Sequence, residues 1–185
     1  MKIVATTLPD VKVVEPKVIE DERGRFFELF RAERFSAAGL ADRFVQDNVS
    51  LSMHGVVRGL HLQHPFGQAK LVCALRGEIF DVAVDVRVGS PTFGRWVGQT
   101  LSATDERQLY IPAGFAHGFA VTSAEAIVLY KCTEYYHAEA ERTIRWDDPA
   151  IGIPWPVTNP LLSAKDRDAP ALADLRRDLL PTFQA

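Results

Sequence analysis

Gly77-Glu78-Ile79-Phe80-Asp81-Val82-Ala83-Val84-Asp85-Val86-Arg87 is the stretch on which the fold turns. Phe80, Val82, Val84 and Val86 fall at every second position, with Asp81 and Asp85 alternating between them. A period of two belongs to a strand, whose successive side chains point to opposite faces. A helix would need its apolar residues three and four apart. Gly77 before the run and Gly89-Ser90-Pro91 after it are turn residues.

The same signature repeats along the chain. Strands are expected over Val11–Val14, Arg25–Phe30, Arg43–Leu51, Val56–Gln63, Ala69–Leu75, Glu78–Val86, Trp96–Leu101, Gln108–Ile111, Gly118–Thr122, Ala126–Cys132 and Arg142–Trp146. A short helix is expected over Ala32–Leu40, and another, packed outside, over Ala171–Leu180. Many short strands broken by Gly/Pro turns mean a sandwich, jelly roll or barrel, so the fold class is all-β. The 185 residues suit one domain with one substantial core.

Composition narrows the function. Hydrophobic residues make up 47% and charged residues 24%, the balance of an ordinary globular protein. A net charge of −3 argues against general nucleic-acid binding, which needs a strong basic field, and leaves a small anionic ligand open. Cys73 and Cys132 both sit in apolar runs and read as free buried thiols. No stretch has the length of a signal peptide or a membrane span, so a cytoplasmic location is expected.

One stretch carries residues that no hydrophobic core asks for. Arg58-Gly59-Leu60-His61-Leu62-Gln63-His64-Pro65-Phe66-Gly67-Gln68-Ala69-Lys70 places two histidines, an arginine and a lysine between buried strands. Strict alternation puts Val57, Gly59, His61 and Gln63 on one face, so His61 is expected to point inward beside the small Gly59. Pro112-Ala113-Gly114-Phe115-Ala116-His117 fits the second cupin motif, P-x-G-x-x-H. The first cupin motif supplies metal ligands as H-x-H followed by Glu. Here the matching stretch reads His61-Leu62-Gln63 and then Lys70, and His61 and His64 fall on opposite strand faces. The expectation is a jelly roll without a metal.

Metal-free proton transfer at carbon needs a base, a group that orients it, a cation for the enolate and an acid on the far side. His61 suits the base, Asp166 in Ser163-Ala164-Lys165-Asp166 the orienting carboxylate, Lys70 the cation and Tyr130 the acid. Tyr130, Asp166 and Lys70 also have plain structural roles, as a core tyrosine, a turn or cap aspartate and a strand-end lysine. Spacing by itself does not bring them together.

Taken with EPKVIEDERGRFFE from Glu15, FVQDNVS from Phe44, SPTFGRW from Ser90, LYIPAGFAHGF from Leu109, LYKCTEYY from Leu129 and LSAKD from Leu162, these stretches resemble the dTDP-4-dehydrorhamnose 3,5-epimerase family. These are metal-free sugar-nucleotide epimerases of the cupin superfamily. The resemblance implies a cupin-like jelly roll, no cofactor, and a dTDP-linked 4-keto-6-deoxy sugar inverted at C3 and C5. It puts the base on His61, its carboxylate on Asp166, the acid on Tyr130 and the active-site lysine on Lys70. It further implies that Arg23, Phe26 and Glu28 reach a neighbouring subunit's site and that Gln46 and Asn48 make polar contacts. Arg58 and Lys165 would face the diphosphate or sugar, Tyr135 would stack on thymine, and His117 and Phe119 would line the sugar pocket. A homodimer follows, with a jelly-roll core at 44–146, strands at 11–30 exchanged between subunits, and an outer segment at 147–185 supplying Asp166. Relatives that epimerise only C3 or only C5 keep much of the same chemistry, and a catalytically silent cupin that binds a nucleotide sugar is the alternative from another class.

Overall fold

The computed structural model describes residues 1–41 and 43–184. Two antiparallel sheets face each other. The larger runs through β1 (Lys2–Ala5), β2 (Lys12–Glu15), β10 (Gln108–Ile111), β7 (Lys70–Arg76), β12 (Glu125–Cys132) and β5 (Gln46–Met53). The smaller runs through β13 (Glu141–Thr143), β6 (Val57–Gln63), β11 (Phe115–Val121), β8 (Glu78–Asp85) and β9 (Trp96–Ser102). A separate hairpin pairs β3 (Val18–Asp21) with β4 (Gly24–Phe27), and there are two short helices, α1 (Ala32–Ala37) and α2 (Ala164–Arg167). This is the all-β, cupin-like jelly-roll sandwich. Among the described residues no helix is long and apolar enough to cross a membrane.

The alternation of β8 explains the layering. Ile79 and Ala83 enter the core between the sheets, where they join Val72, Leu109, Phe119 and Val128. Phe80, Val82, Val84 and Val86 face the other way, into a second core closed by Ile151, Trp155, Leu172 and Leu180 of the C-terminal segment. Each such valine contributes roughly 1.5–3 kcal/mol by leaving water. That second core therefore fastens the C-terminal segment to the outside of the smaller sheet. Cys73 and Cys132 are both buried and free.

The differences from the sequence reading have local causes. The strand expected over Arg25–Phe30 stops at Phe27, because its partner β3 runs out at Val18 and the hairpin turns at Gly24 (φ 118°). The N-terminal run Lys2–Ala5, outside the expected strands, is a strand paired with β2. No helix spans Ala171–Leu180. Two 3-10 turns, Leu172–Asp174 and Arg177–Leu179, stand there between Pro170 and Pro181. The Leu172 N–H is donated to Asp148 Oδ2 at 2.7 Å, and the carbonyl of Pro170 accepts from Arg145 N–H. Those bonds satisfy the backbone without a helix.

Candidate active site

A cavity of about 560 Å³ opens between the sheets. Arg58, His61, His117 and Phe119 line it from the smaller sheet, and Gln46, Asn48, Lys70 and Tyr130 from the larger.

A bulge in β6 decides which side chains reach this space. His61 pairs with His117 and Arg58 with Phe119, so three residue steps on β6 oppose two on β11. Gly59 takes up the extra residue at φ 120°. A Cβ there would stand 2.5 Å from Gly118 Cα and 2.7 Å from the His117 oxygen, so only glycine fits. Beyond the bulge the phase is inverted: Arg58 joins His61 and Gln63 on the cavity wall, and Leu60 and Leu62 enter the second core. The alternation that grouped Val57 and Gly59 with His61 is thus corrected: it fails across Gly59.

Asp166 arrives from outside the sandwich. Leu161 makes a parallel bridge with Val56, donating its N–H to the Gly55 oxygen at 2.9 Å and accepting from Val57 N–H at 3.1 Å. Two residues on, Ser163 caps α2, its Oγ accepting from Asp166 N–H at 3.1 Å. The carboxylate, on a residue 3% exposed, then meets Nε2 of His61 at 2.6 Å. Burial pushes the Asp166 carboxyl up, but the bonds from His61 and Ser163 outweigh it and hold the group below the usual carboxylate range. With Nε2–H donated to Asp166, Nδ1 is the nitrogen left to act on a ligand.

The facing wall carries a cation and a phenol. Lys70 is 7% exposed, and its ammonium has no hydrogen-bond or ion-pair partner among the described residues. Burial lowers its pKa, with Cys132, Glu141 and Asp81 pulling the other way. Burial raises the Tyr130 pKa, and Cys132 adds to the effect while Arg58 opposes it. A phenol held in its neutral form is a proton donor. Its ring lies 6.5 Å from that of His117.

Of the residues singled out in the sequence, His61, Asp166, Lys70, Tyr130, Gln46, Asn48, Arg58, His117, Phe119 and Lys165 meet at this cavity. Arg23, Phe26 and Glu28 do not. Arg23 pairs with Asp21, Glu28 with Arg31 and Arg34, and Phe26 stands in the β3–β4 hairpin with 69% of its surface open. Tyr135 is also corrected: it lines a separate depression with Arg43 and Tyr110, and Tyr136 is the tyrosine on the cavity wall. β12 ends at Cys132, so strand alternation no longer says which residue of Tyr135-Tyr136 faces in.

Sequence reading also passed over Glu141, which accepts from Lys165 Nζ at 2.8 Å and Tyr136 OH at 3.1 Å. Burial opposes its ionisation, yet the bond from Lys165 and the charge of His61 keep its pKa low. Nothing in Ala138-Glu139-Ala140-Glu141 marks the second glutamate over the first. It becomes visible only through the β13 pairing of Glu141 with Gln63.

The family profile of dTDP-4-dehydrorhamnose 3,5-epimerase matches residues 5–174. The chain is 57% identical to the dTDP-4-dehydrorhamnose 3,5-epimerase of Neisseria gonorrhoeae over 168 residues, which is 90% of this chain and 51% of that protein. It thus spans about half the length of that relative. The Shigella flexneri protein of the same name is 53% identical over 94% of this chain and 97% of its own length. Among solved structures, the dTDP-6-deoxy-D-glucose-3,5-epimerase of Legionella pneumophila Philadelphia 1, in complex with dTDP-4-keto-L-rhamnose, superposes with a TM-score of 0.97. It is 52% identical, and the match covers 100% of this chain and 99% of that one.

Proposed function

The chain belongs to the dTDP-4-dehydrorhamnose 3,5-epimerase family, and we propose that it inverts C3 and C5 of dTDP-4-dehydro-6-deoxy-D-glucose on the route to dTDP-L-rhamnose. The observation that carries this reading is the opposition of two walls. A histidine backed by a buried carboxylate stands on one sheet, and a neutral phenol and a buried ammonium on the other.

The chemistry follows from that placement. The 4-ketone acidifies the hydrogens on C3 and C5. His61 Nδ1 removes one of them while Asp166 steadies the resulting imidazolium through Nε2–H. Charge moves onto the ketone oxygen, and Lys70, desolvated and without a partner among the described residues, is the cation to receive it. Tyr130 returns a proton to the opposite face, which inverts the centre.

The nucleotide half uses the polar rim. Arg58 and Lys165 neutralise the diphosphate, and Tyr136 replaces Tyr135 as the ring that stacks on the thymine. Arg23, Phe26 and Glu28 serve the cavity of a second copy. Two features support a homodimer. The β3–β4 hairpin holds Phe26 away from its own cavity, and Val49, Leu51 and Met53 of edge strand β5 stand 65%, 60% and 56% exposed on one face. A cytoplasmic location matches a nucleotide-sugar substrate.

Incubation with the substrate in heavy water, followed by NMR at C3 and C5, tests the assignment. Deuterium at both carbons with inversion at both is expected. Label at one carbon makes the protein a single-centre epimerase, and label at neither makes it a binding protein.

A further inference from the structure

A second histidine–carboxylate pair stands beside the first. His117 on β11 is the Cα partner of His61 across the ladder, so the two imidazoles project from the same sheet face. Nε2 of His117 lies 2.7 Å from Oδ1 of Asp81, on the adjacent strand β8. Asp81 is 0% exposed and lines no part of the cavity. Its Oδ2 is buried without a hydrogen-bond partner among the described residues.

A carboxylate with one orphaned oxygen is among the most costly groups a core can hold. The neighbours on its strand face, Ile79 and Ala83, show that apolar residues pack there. What Asp81 does in return is orient one ring. His117 Nε2–H is donated to Asp81, so Nδ1 is the only nitrogen left for a ligand. Nδ1 has no protein partner among the described residues, and the His117 side chain lines the cavity. The polarity matches that of His61 and Asp166, and the Tyr130 ring closes in from the facing sheet.

We propose that Asp81 is a positioning residue of the epimerisation site. It fixes the ring and tautomer of His117 so that Nδ1 meets the sugar of the bound 4-keto-sugar nucleotide, and Asp81 never touches the ligand. The identity of that ligand rests on the epimerase reading; the orientation of the ring does not.

Asp81→Asn makes the test specific. If the amide oxygen kept the bond to Nε2–H, its NH2 would be buried at the Oδ2 position, which makes no hydrogen bond among the described residues, and would need acceptors there. Turning the NH2 towards Nε2 leaves the oxygen in that place instead, no worse satisfied than Oδ2 is now. The ring proton then moves to Nδ1 and the cavity meets the wrong tautomer.

Nitrogen-15 NMR of histidine-labelled full-length protein is expected to show the His117 proton on Nε2 in the parent and on Nδ1 in Asp81→Asn. Turnover of dTDP-4-dehydro-6-deoxy-D-glucose should fall at least about tenfold in kcat, with KM changed less than about threefold. Binding of dTDP should stay within about twofold, since Arg58 and Lys165 are untouched. In a His117→Gln background the Asp81 substitution should add no further loss, which separates positioning from damage to the fold. An unchanged His117 ring in Asp81→Asn, a reversed ring with parental kcat, or additive losses in the double variant each overturns the proposal. A parent protein inactive on the 4-keto sugar overturns the epimerase reading instead, and the NMR result still decides the role of Asp81.

Discussion

Nε2 of His61 and Oδ1 of Asp166 lie 2.6 Å apart although 105 residues separate them in the chain. One belongs to the wall of the sandwich and the other to a segment wrapped outside it. The bond therefore joins the outer segment's docking to the chemistry of the cavity. His61→Ala should abolish solvent deuterium exchange at both sugar carbons, lowering kcat by about 10³-fold. Affinity for dTDP, read by calorimetry, should stay near the parental value. Parental turnover in this variant would remove His61 from the role of base.

Ser163→Ala should act more mildly through the same bond. It deletes the cap on α2 and the hydroxyl that helps keep Asp166 ionised, a loss of about 1 kcal/mol from the cap. Chemical denaturation should show that decrement and steady-state kinetics a reduced kcat, whereas Ser163→Thr should restore both.

Tyr130→Phe separates proton removal from proton return. The variant keeps the base and the ammonium, so exchange of the first hydrogen should persist while inversion falls by about 10²-fold or more. Comparing deuterium wash-in with product formation reads the two steps. Normal epimerisation in the variant would reduce Tyr130 to a core residue.

Lys70 should trade stability for turnover. Burial lowers its pKa, so between the folded value and the unfolded 10.5 the unfolded chain binds more protons, and parental stability should rise with pH across that window. Lys70→Met removes the penalty. It should raise the melting temperature at neutral pH, flatten the alkaline rise and eliminate epimerisation. A Met variant less stable than the parent would show that the ammonium is well solvated.

Acid stability should be governed partly by Asp85, far from the chemistry. Burial alone would raise its pKa, but Arg87, Ser90 and Thr92 hold it at about 2 against 3.8 unfolded. A depressed folded pKa contributes stability that is complete above the unfolded value and lost as pH falls through the folded one. Some 2 kcal/mol should therefore disappear between about pH 4 and pH 2. Asp85→Asn should lose that stability at pH 7 and show a flatter acid limb in pH-dependent denaturation.

How far the sequence could be read depended on whether local pattern or long-range contact decides a residue's place. β8 was legible because its valines repeat at a strand's period, and β10 because Gln108-Leu109-Tyr110-Ile111 is bounded by turns. The tail reads as a helix because Leu172 and Leu180 look like one helix face. Only Asp148, 24 residues away, shows where the Leu172 N–H goes instead. Tyr136 and Glu141 were missed because neither lies in a strand whose phase could be counted from a neighbouring motif.

Alternation and turn chemistry, which act between neighbours in the chain, were enough to specify an all-β domain. The residue types in Arg58–Lys70 were enough to mark it as a site, since a core does not ask for charge. Tertiary structure alone decided which groups converge. The bulge at Gly59, possible because Gly118 has no side chain opposite, reverses the face on which Arg58 emerges. The second core draws the C-terminal segment around the smaller sheet and delivers Asp166 to His61. Both outcomes depend on contacts between distant segments, and short-range periodicity carries no information about those.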